Sequence, residues 1–321
     1  MHWIARVAVF VCVAAPSWAQ ESRASIVGRV TDSTGAVVPG VTVTATNKST
    51  NVAVRVKSNE QGNYQILFIN PGIYRVTTEM PGFKSFERDN IELRINDRVG
   101  LDIVIEVGDV AEKIEVTAST PLLETTTANV GTVVDNRNIA ELPIPHGSVR
   151  SLFYLLNGAV LAGGSYSIAP KFQDPSRPAS SSWLTFNGSP VGSTEFTLDG
   201  VPNTQTANSD FGSAISNQPP ADAIQELKLE TTYDASVGHT SGTHVNMIIR
   251  SGTNDLHGSA YFFYRDPAFY ANTFFGNRAG QERADFNYKR GGGSFSGPIR
   301  IPGVYNGSDR TFFMYAYEIM D

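Results

Sequence analysis

Val245-Asn246-Met247-Ile248-Ile249-Arg250-Ser251-Gly252-Thr253-Asn254-Asp255-Leu256-His257-Gly258-Ser259-Ala260-Tyr261-Phe262-Phe263-Tyr264-Arg265 joins two kinds of sequence. Before it, apolar runs are short and separated by turn residues. After it, aromatic-rich segments alternate with Gly and Asn loops. The joint, Ser251-Gly252-Thr253-Asn254, is a dense turn signal. Beyond it, strand geometry sends successive side chains to opposite sides. Ala260, Phe262 and Tyr264 therefore fall on one face, and Ser259, Tyr261, Phe263 and Arg265 on the other. The pattern fits an aromatic strand of a soluble β-sandwich. It also fits the first wall strand of a membrane β-barrel, where lipid-facing and lumen-facing residues alternate.

Asp222-Ala223-Ile224-Gln225-Glu226-Leu227-Lys228-Leu229, then Gly238 and Gly242, then Ile249-Arg250-Ser251-Gly252-Thr253-Asn254-Asp255-Leu256-His257-Gly258, choose between these readings. Together they resemble the end of the plug and the start of the barrel in TonB-dependent outer-membrane receptors. The likeness is to the Oar-like group, which carries a carboxypeptidase regulatory-like domain in front.

Bulk composition agrees with a β protein. Charged residues are 17% of the 321, against 29 glycines and 10% aromatics, which suits many turns better than a helical enzyme. The net charge is −6 and no basic run is concentrated enough for a nucleic-acid surface. Cys12 is the one cysteine. It lies in a leader of Arg6, an apolar run from Val7 to Ala15, and Pro16-Ser17-Trp18-Ala19. Residues 1–19 thus read as a signal peptide cut after Ala19, with an apolar run too short to span a bilayer. Val11 is not the small residue that lipoprotein processing at Cys12 needs. Once the leader is removed, no disulfide, thiolate metal site or cysteine nucleophile remains.

Residues 23–107 read as one small β-sandwich. Short apolar runs (Ile26 to Val30, Val41 to Thr46, Val52 to Val56, Tyr64 to Ile69, Ile73 to Thr78, Leu101 to Val107) are parted by the turns Asp32-Ser33-Thr34-Gly35, Asn59 to Asn63, Asn70-Pro71-Gly72 and Pro81-Gly82-Phe83. Asp32 to Gly35 is a hairpin turn rather than an aspartic-protease loop, since no second such loop supplies a partner carboxylate. Gly28-Arg29-Val30-Thr31-Asp32, Pro39-Gly40-Val41, Gly62-Asn63-Tyr64, Pro71-Gly72-Ile73-Tyr74-Arg75-Val76 and Pro81-Gly82-Phe83 resemble the carboxypeptidase regulatory-like domain. That resemblance implies a transthyretin-like, carbohydrate-binding-like sandwich without peptidase chemistry.

A linker, 108–124, follows. In it Val110-Ala111-Glu112-Lys113-Ile114-Glu115-Val116-Thr117-Ala118 alternates apolar and charged residues like a lone strand. Glu112, Lys113, Ile114, Glu115, Val116, Thr117 and Ala118 are similar to a TonB box, the extended peptide that TonB captures in this family. An extended segment can add a strand to a partner's sheet edge. The competing reading is the last strand of the sandwich.

Residues 125–250 read as the plug, an α+β unit. Arg137 to Pro143 leads to a predicted helix from Val149 to Leu156, stopped by Asn157-Gly158. Gly163 to Ser182 is a loop. Trp183 to Gly188 and Glu195 to Pro202 are predicted strands that end in turns, with Asp199 forming its turn rather than acting as a catalytic acid. The chain departs from the family pattern at Pro145-His146-Gly147, Asn157-Gly158-Ala159, His239 and Thr243. His239 and His244 have odd spacing, so on a strand they point apart, and His257 adds no helical pair. No metal site is expected. No nucleophile elbow, phosphate loop or zinc-protease motif occurs, so neither an enzyme nor a cofactor is expected.

The barrel portion, 251–321, has room for roughly three to five strands at about ten residues each. Candidates are Gly258 to Arg265, Phe286 to Ser296 and Thr311 to Ile319. A closed barrel needs at least about eight, and an open sheet in lipid leaves backbone groups unpaired. The expectation is an incomplete receptor: a mainly β chain with a sandwich, a plug and the first strands of a transmembrane β-barrel. The implied place is the outer membrane, in contact with its lipid, with the N-terminal domain in the periplasm. The implied partners are TonB and an unidentified solute, with no nucleic acid. The alternative is a soluble periplasmic or secreted binding protein whose sandwich holds a glycan or peptide.

Overall fold

A computed structural model describes residues 23–108, 113–115, 130–141, 153, 156–161, 184–190, 192–205, 214–232, 242–269, 271–282 and 288–320. The expected signal peptide, the Gly163 to Ser182 loop and Gly238 lie outside them, as does the predicted helix from Val149 except for Phe153 and Leu156.

The first unit is a sandwich. Its strands are β1 (Ala24–Asp32), β2 (Thr42–Asn47), β3 (Ala53–Lys57), β4 (Asn63–Ile69), β5 (Gly72–Glu79), β6 (Ser85–Leu93), β7 (Arg98–Gly100), β8 (Ile103–Ile105) and β9 (Lys113–Glu115). One sheet runs β3-β2-β5-β6-β9; the other runs β4-β1-β7, with β8 also pairing along β1. Alternation drives the layering: in β5, Tyr74, Val76 and Thr78 are buried while Ile73, Arg75 and Glu79 are exposed. Ile26, Val30, Val43, Ile66, Val76, Leu93 and Ile103 fill the space between the sheets. The Asp32 turn forms as expected. Its carboxylate accepts the N–H groups of Thr34 (2.8 Å) and Ala36 (2.9 Å), and Gly35 takes φ +87°.

The sequence reading passed over β6, and a bulge explains why. The register with β5 shifts between Tyr74 and Val76, and Asn90 has φ +57°. Phe86 and Ile91 both point inward across an odd interval, so the period-two signal is lost.

The second unit contains β10 (Val130–Asp135), α1 (Asn136–Glu141), β11 (Ala159–Leu161), β12 (Leu184–Phe186), β13 (Glu195–Leu198), β14 (Val201–Pro202), β15 (Thr204–Gln205), β16 (Ala214–Ile215), β17 (Ile224–Thr232) and β18 (His244–Ile249). The main sheet runs β10-β17-β18-β13-β14, beside the small pairs β11-β12 and β15-β16. A further helix forms at α1, where the Asp135 carboxylate caps it by accepting Asn138 N–H (2.8 Å). Phe153, Phe186, Phe196, Leu227, Leu229, Val245 and Met247 form its apolar core, with the Phe153 and Phe196 rings stacked at 5.6 Å. Asp199 (φ +50°) and Gly200 (φ +77°) turn β13 into β14, and Asp199 also accepts Ile249 N–H at 2.9 Å.

The third unit contains β19 (His257–Arg265), α2 (Phe274–Arg278), β20 (Tyr288–Pro298), β21 (Arg300–Ile301), β22 (Tyr305–Asn306) and β23 (Phe312–Met320). The strands β19, β20 and β23 form an antiparallel sheet close to the three candidate segments, and β21-β22 is a small hairpin in the turn before β23.

Candidate functional site

The three-stranded wall is two-faced. Register puts Ala260 opposite Gly293 and Tyr317, and Phe262 opposite Gly291 and Ile319. On that face Phe262, Phe295, Tyr315, Tyr317 and Ile319 are all exposed, Phe262 at 69%. The other face carries a polar cluster beside the Tyr261 and Phe263 rings. Arg290 binds Glu318 through Nε (2.7 Å) and Nη2 (2.6 Å), and Tyr261 donates its hydroxyl to the same Oε2. The guanidinium also lies over the Tyr261 and Phe263 rings, at 5.2 and 5.4 Å. Next along, Ser259 donates to Asp222 of the plug, whose other oxygen faces Arg250 at 3.7 Å. The plug is therefore tied to this second face of the wall.

The plug sheet is two-faced as well. Leu227, Leu229, Val245, Met247 and Phe196 face the apolar core. The register sets Glu195, His244 and Glu230 in one row, and Thr197, Asn246 and Lys228 in the next, on the opposite face. All six are buried, Glu230 and Thr197 completely. Charged groups at such burial need partners. His244 Nδ1 lies 3.3 Å from Glu230 Oε2 and its Nε2 lies 3.0 Å from Thr197 Oγ1. Burial pushes the Glu230 carboxyl up, but His244, Lys228 and Asn96 outweigh it and hold it below the ordinary value.

Further partners of this layer come from the sandwich, at the turn between β6 and β7. Ile95 donates its N–H to Glu226 Oε1 (2.5 Å), and Lys228 Nζ donates to Ile95 O (3.0 Å) and to Asp97 Oδ1 (3.3 Å). Asn96 Nδ2 reaches Glu230 Oε2 at 3.4 Å. A second junction forms at Asp309, in the turn before β23. Its carboxylate accepts from Asn51 of the sandwich (3.0 Å) and from Asn254 of the plug-to-barrel link (2.7 Å). Asn254 N–H in turn reaches Ser49 O at 3.0 Å.

Of the predicted box, Lys113, Ile114 and Glu115 are described, as β9. It lies parallel to β6, with Ser85, Phe86 and Glu87 as partners, so this strand is not alone. Glu112, Val116, Thr117 and Ala118 lie outside the described residues, as does His239. His244 is buried in the plug and His257 exposed at the start of β19, so the two are not brought together. Among the described residues no group of three His, Cys, Asp or Glu is arranged to hold a metal. The sequence reading did not single out Asp97, Asp222, Glu226, Lys228, Glu230, Arg290 or Glu318 as interacting residues.

Residues 25–106 match the family described as carboxypeptidase regulatory-like domain, and residues 248–321 match the outer membrane beta barrel domain. The TonB-dependent transporter Oar of Myxococcus xanthus is 26% identical over 252 residues, a stretch that takes in 76% of this chain and 22% of that protein. Over these stretches the chain is similar to TonB-dependent outer-membrane receptors. Among solved receptors, the siderophore receptor PirA from Acinetobacter baumannii superposes at TM-score 0.38 with 20% identity, over 55% of this chain and 23% of PirA. The pyoverdine outer membrane receptor FpvA from Pseudomonas aeruginosa PAO1 gives TM-score 0.38 with 14% identity, over 58% of this chain and 22% of FpvA. Superpositions that loose leave the fold to rest on the strand pairing described above. The outer membrane beta barrel match places the chain at the outer membrane, and the matched relative is described as a transporter. The chain spans 22% of the length of the curated relative it matches.

Proposed function

We propose that the receptor takes up a solute through a plugged β-barrel, with energy supplied by TonB captured at Glu112 to Ala118 and with the sandwich on the periplasmic side. The observation that carries this reading is the two-faced wall, apolar and exposed on one face and carrying the Arg290–Glu318–Tyr261 cluster on the other, with the plug's Asp222 bonded to Ser259 on that second face. A soluble binding protein would not favour Phe262, Tyr315, Tyr317 and Ile319 side by side in water. Lys113–Glu115 lies at the edge of the sandwich sheet, as the competing reading of a last sandwich strand expects, and capture by TonB would use the same extended main chain. The sandwich, bonded through Asn51 to Asp309 in the turn before β23 and through Ser49 to Asn254 in the link before β19, lies at the end of the wall where β19 begins.

The test is capture by the periplasmic domain of TonB, using the receptor extracted from its outer membrane. Ile114→Pro removes a main-chain donor and should abolish capture, whereas Ile114→Val should retain it. Undiminished capture by the proline variant would place the TonB contact elsewhere. Recovery of the receptor in a soluble periplasmic fraction would overturn the transporter reading itself.

A further inference from the structure

We propose that the Arg94–Asp97 turn is a proton-sensitive latch that holds the regulatory-like sandwich on the polar face of the plug sheet. The inference goes beyond the transport reading and stands whether or not the receptor carries a solute.

The turn is shaped by the sandwich alone. Arg94 N–H donates to Asp97 Oδ2 (2.8 Å), Asp97 N–H returns to Arg94 O (3.1 Å), Asn96 takes φ +58°, and Ser25 N–H holds Asp97 O (2.8 Å). That shape presents both main-chain polar groups of Ile95 to the plug. Glu226 takes the N–H and Lys228 takes the carbonyl, two residues apart on one face of β17. Two prongs on one backbone unit make a directional grip. The apolar cores of sandwich and plug are separate clusters, and Ile95 is in neither although its side chain is fully buried. Polar contacts therefore hold the two units together at this turn, and such contacts answer to charge.

The titrating member is Glu226. Burial pushes its carboxyl up to about 7; the Ile95 N–H pulls the other way, Asp97 adds to the rise, and Lys228 and Arg94 oppose it. Asp97 and Arg94 face it from the turn and Lys228 from its own strand. Its register partners are Asp135 on β10 and the uncharged Ile248 on β18. The docked state binds this proton more tightly than an undocked, solvated carboxyl does. Docking is therefore firmest while Glu226 is protonated and weakens as pH rises from about 4.5 to about 7, where the weakening ends.

Hydrogen exchange at the Ile95 amide, in the whole receptor and corrected for intrinsic rates, tests this. In the wild type, protection should fall of the order of a hundredfold between pH 5 and pH 8, since each pKa unit is worth tenfold. The Val76 and Met247 amides, within β5 and β18, report whether each unit remains folded and should hold steady. Glu226→Gln keeps an acceptor for Ile95 without the titration, so its protection should stay high and flat. Wild-type protection that is flat with pH, or a fall of equal size in Glu226→Gln, would overturn the latch. The wild-type profile decides the matter even where a variant fails to fold.

Discussion

Lys228 shows how much one side chain can carry here. It is 5% exposed, and its ammonium serves Ile95 O, Asp97 and Glu230, the last at 3.6 Å. Lys228→Met leaves two buried carboxylates without that charge and should cost about 3–5 kcal/mol in denaturant unfolding. Gly28 is the steric counterpart. A Cβ there would lie 1.9 Å from Leu101 O, because the chain from β7 to β8 runs directly over β1. Gly28→Ala should cost about 3 kcal/mol and lower the melting temperature of the sandwich, as calorimetry would show. Tyr64, whose hydroxyl donates to the same Leu101 O at 2.7 Å, is the milder case: Tyr64→Phe should cost about 1 kcal/mol.

Among elements, β20 is built against its own composition. Gly291, Gly292 and Gly293 are consecutive in a strand, where glycine packs nothing. Neighbouring aromatics supply the missing cover: Phe262 lies over Gly291, and the Tyr261 hydroxyl oxygen lies 2.6 Å from where a Gly292 Cβ would be. Gly292→Val would collide with that hydroxyl and with Tyr317 O, displacing Tyr261 from Glu318. The strand signal in circular dichroism should then melt at a lower temperature than in wild type. An unchanged melting temperature would mean that Tyr261 can swing aside without loosening the wall. β6 tells the opposite story, a strand whose bulge erases its own pattern while its two ends hold β9 and the latch turn.

For the whole molecule, the acid response is set where sandwich meets plug. Glu230 is held below its ordinary value, so its contribution is present above about pH 4.5 and is lost as pH falls through its folded value. Glu226 runs the other way, losing stability as pH rises toward about 7. The two slopes meet, so folding stability should be greatest near pH 4.5. A thermal unfolding series from pH 3 to pH 9 should show that maximum. A monotonic series would mean that groups elsewhere dominate.

Much of this architecture was legible in the residues. The wall strands announced themselves by alternation, and β19 has the two faces read from Ala260, Phe262 and Tyr264 against Ser259, Tyr261 and Phe263. The turns at Asp32 and Asp199 were legible for a similar reason, since Asp and Gly act on their own backbone within a few residues. Such signals are local, and the sequence by itself determined a turn-rich β chain with a sandwich in front and an aromatic wall behind. Only the tertiary structure decided that Lys113–Glu115 completes a sheet, that Asp309 gathers Asn51 and Asn254, and that Ile95 is gripped by Glu226. The last two partners stand 131 residues apart. No periodicity links positions so distant, because a buried charge chooses its partner by desolvation and geometry in the folded state rather than by spacing along the chain.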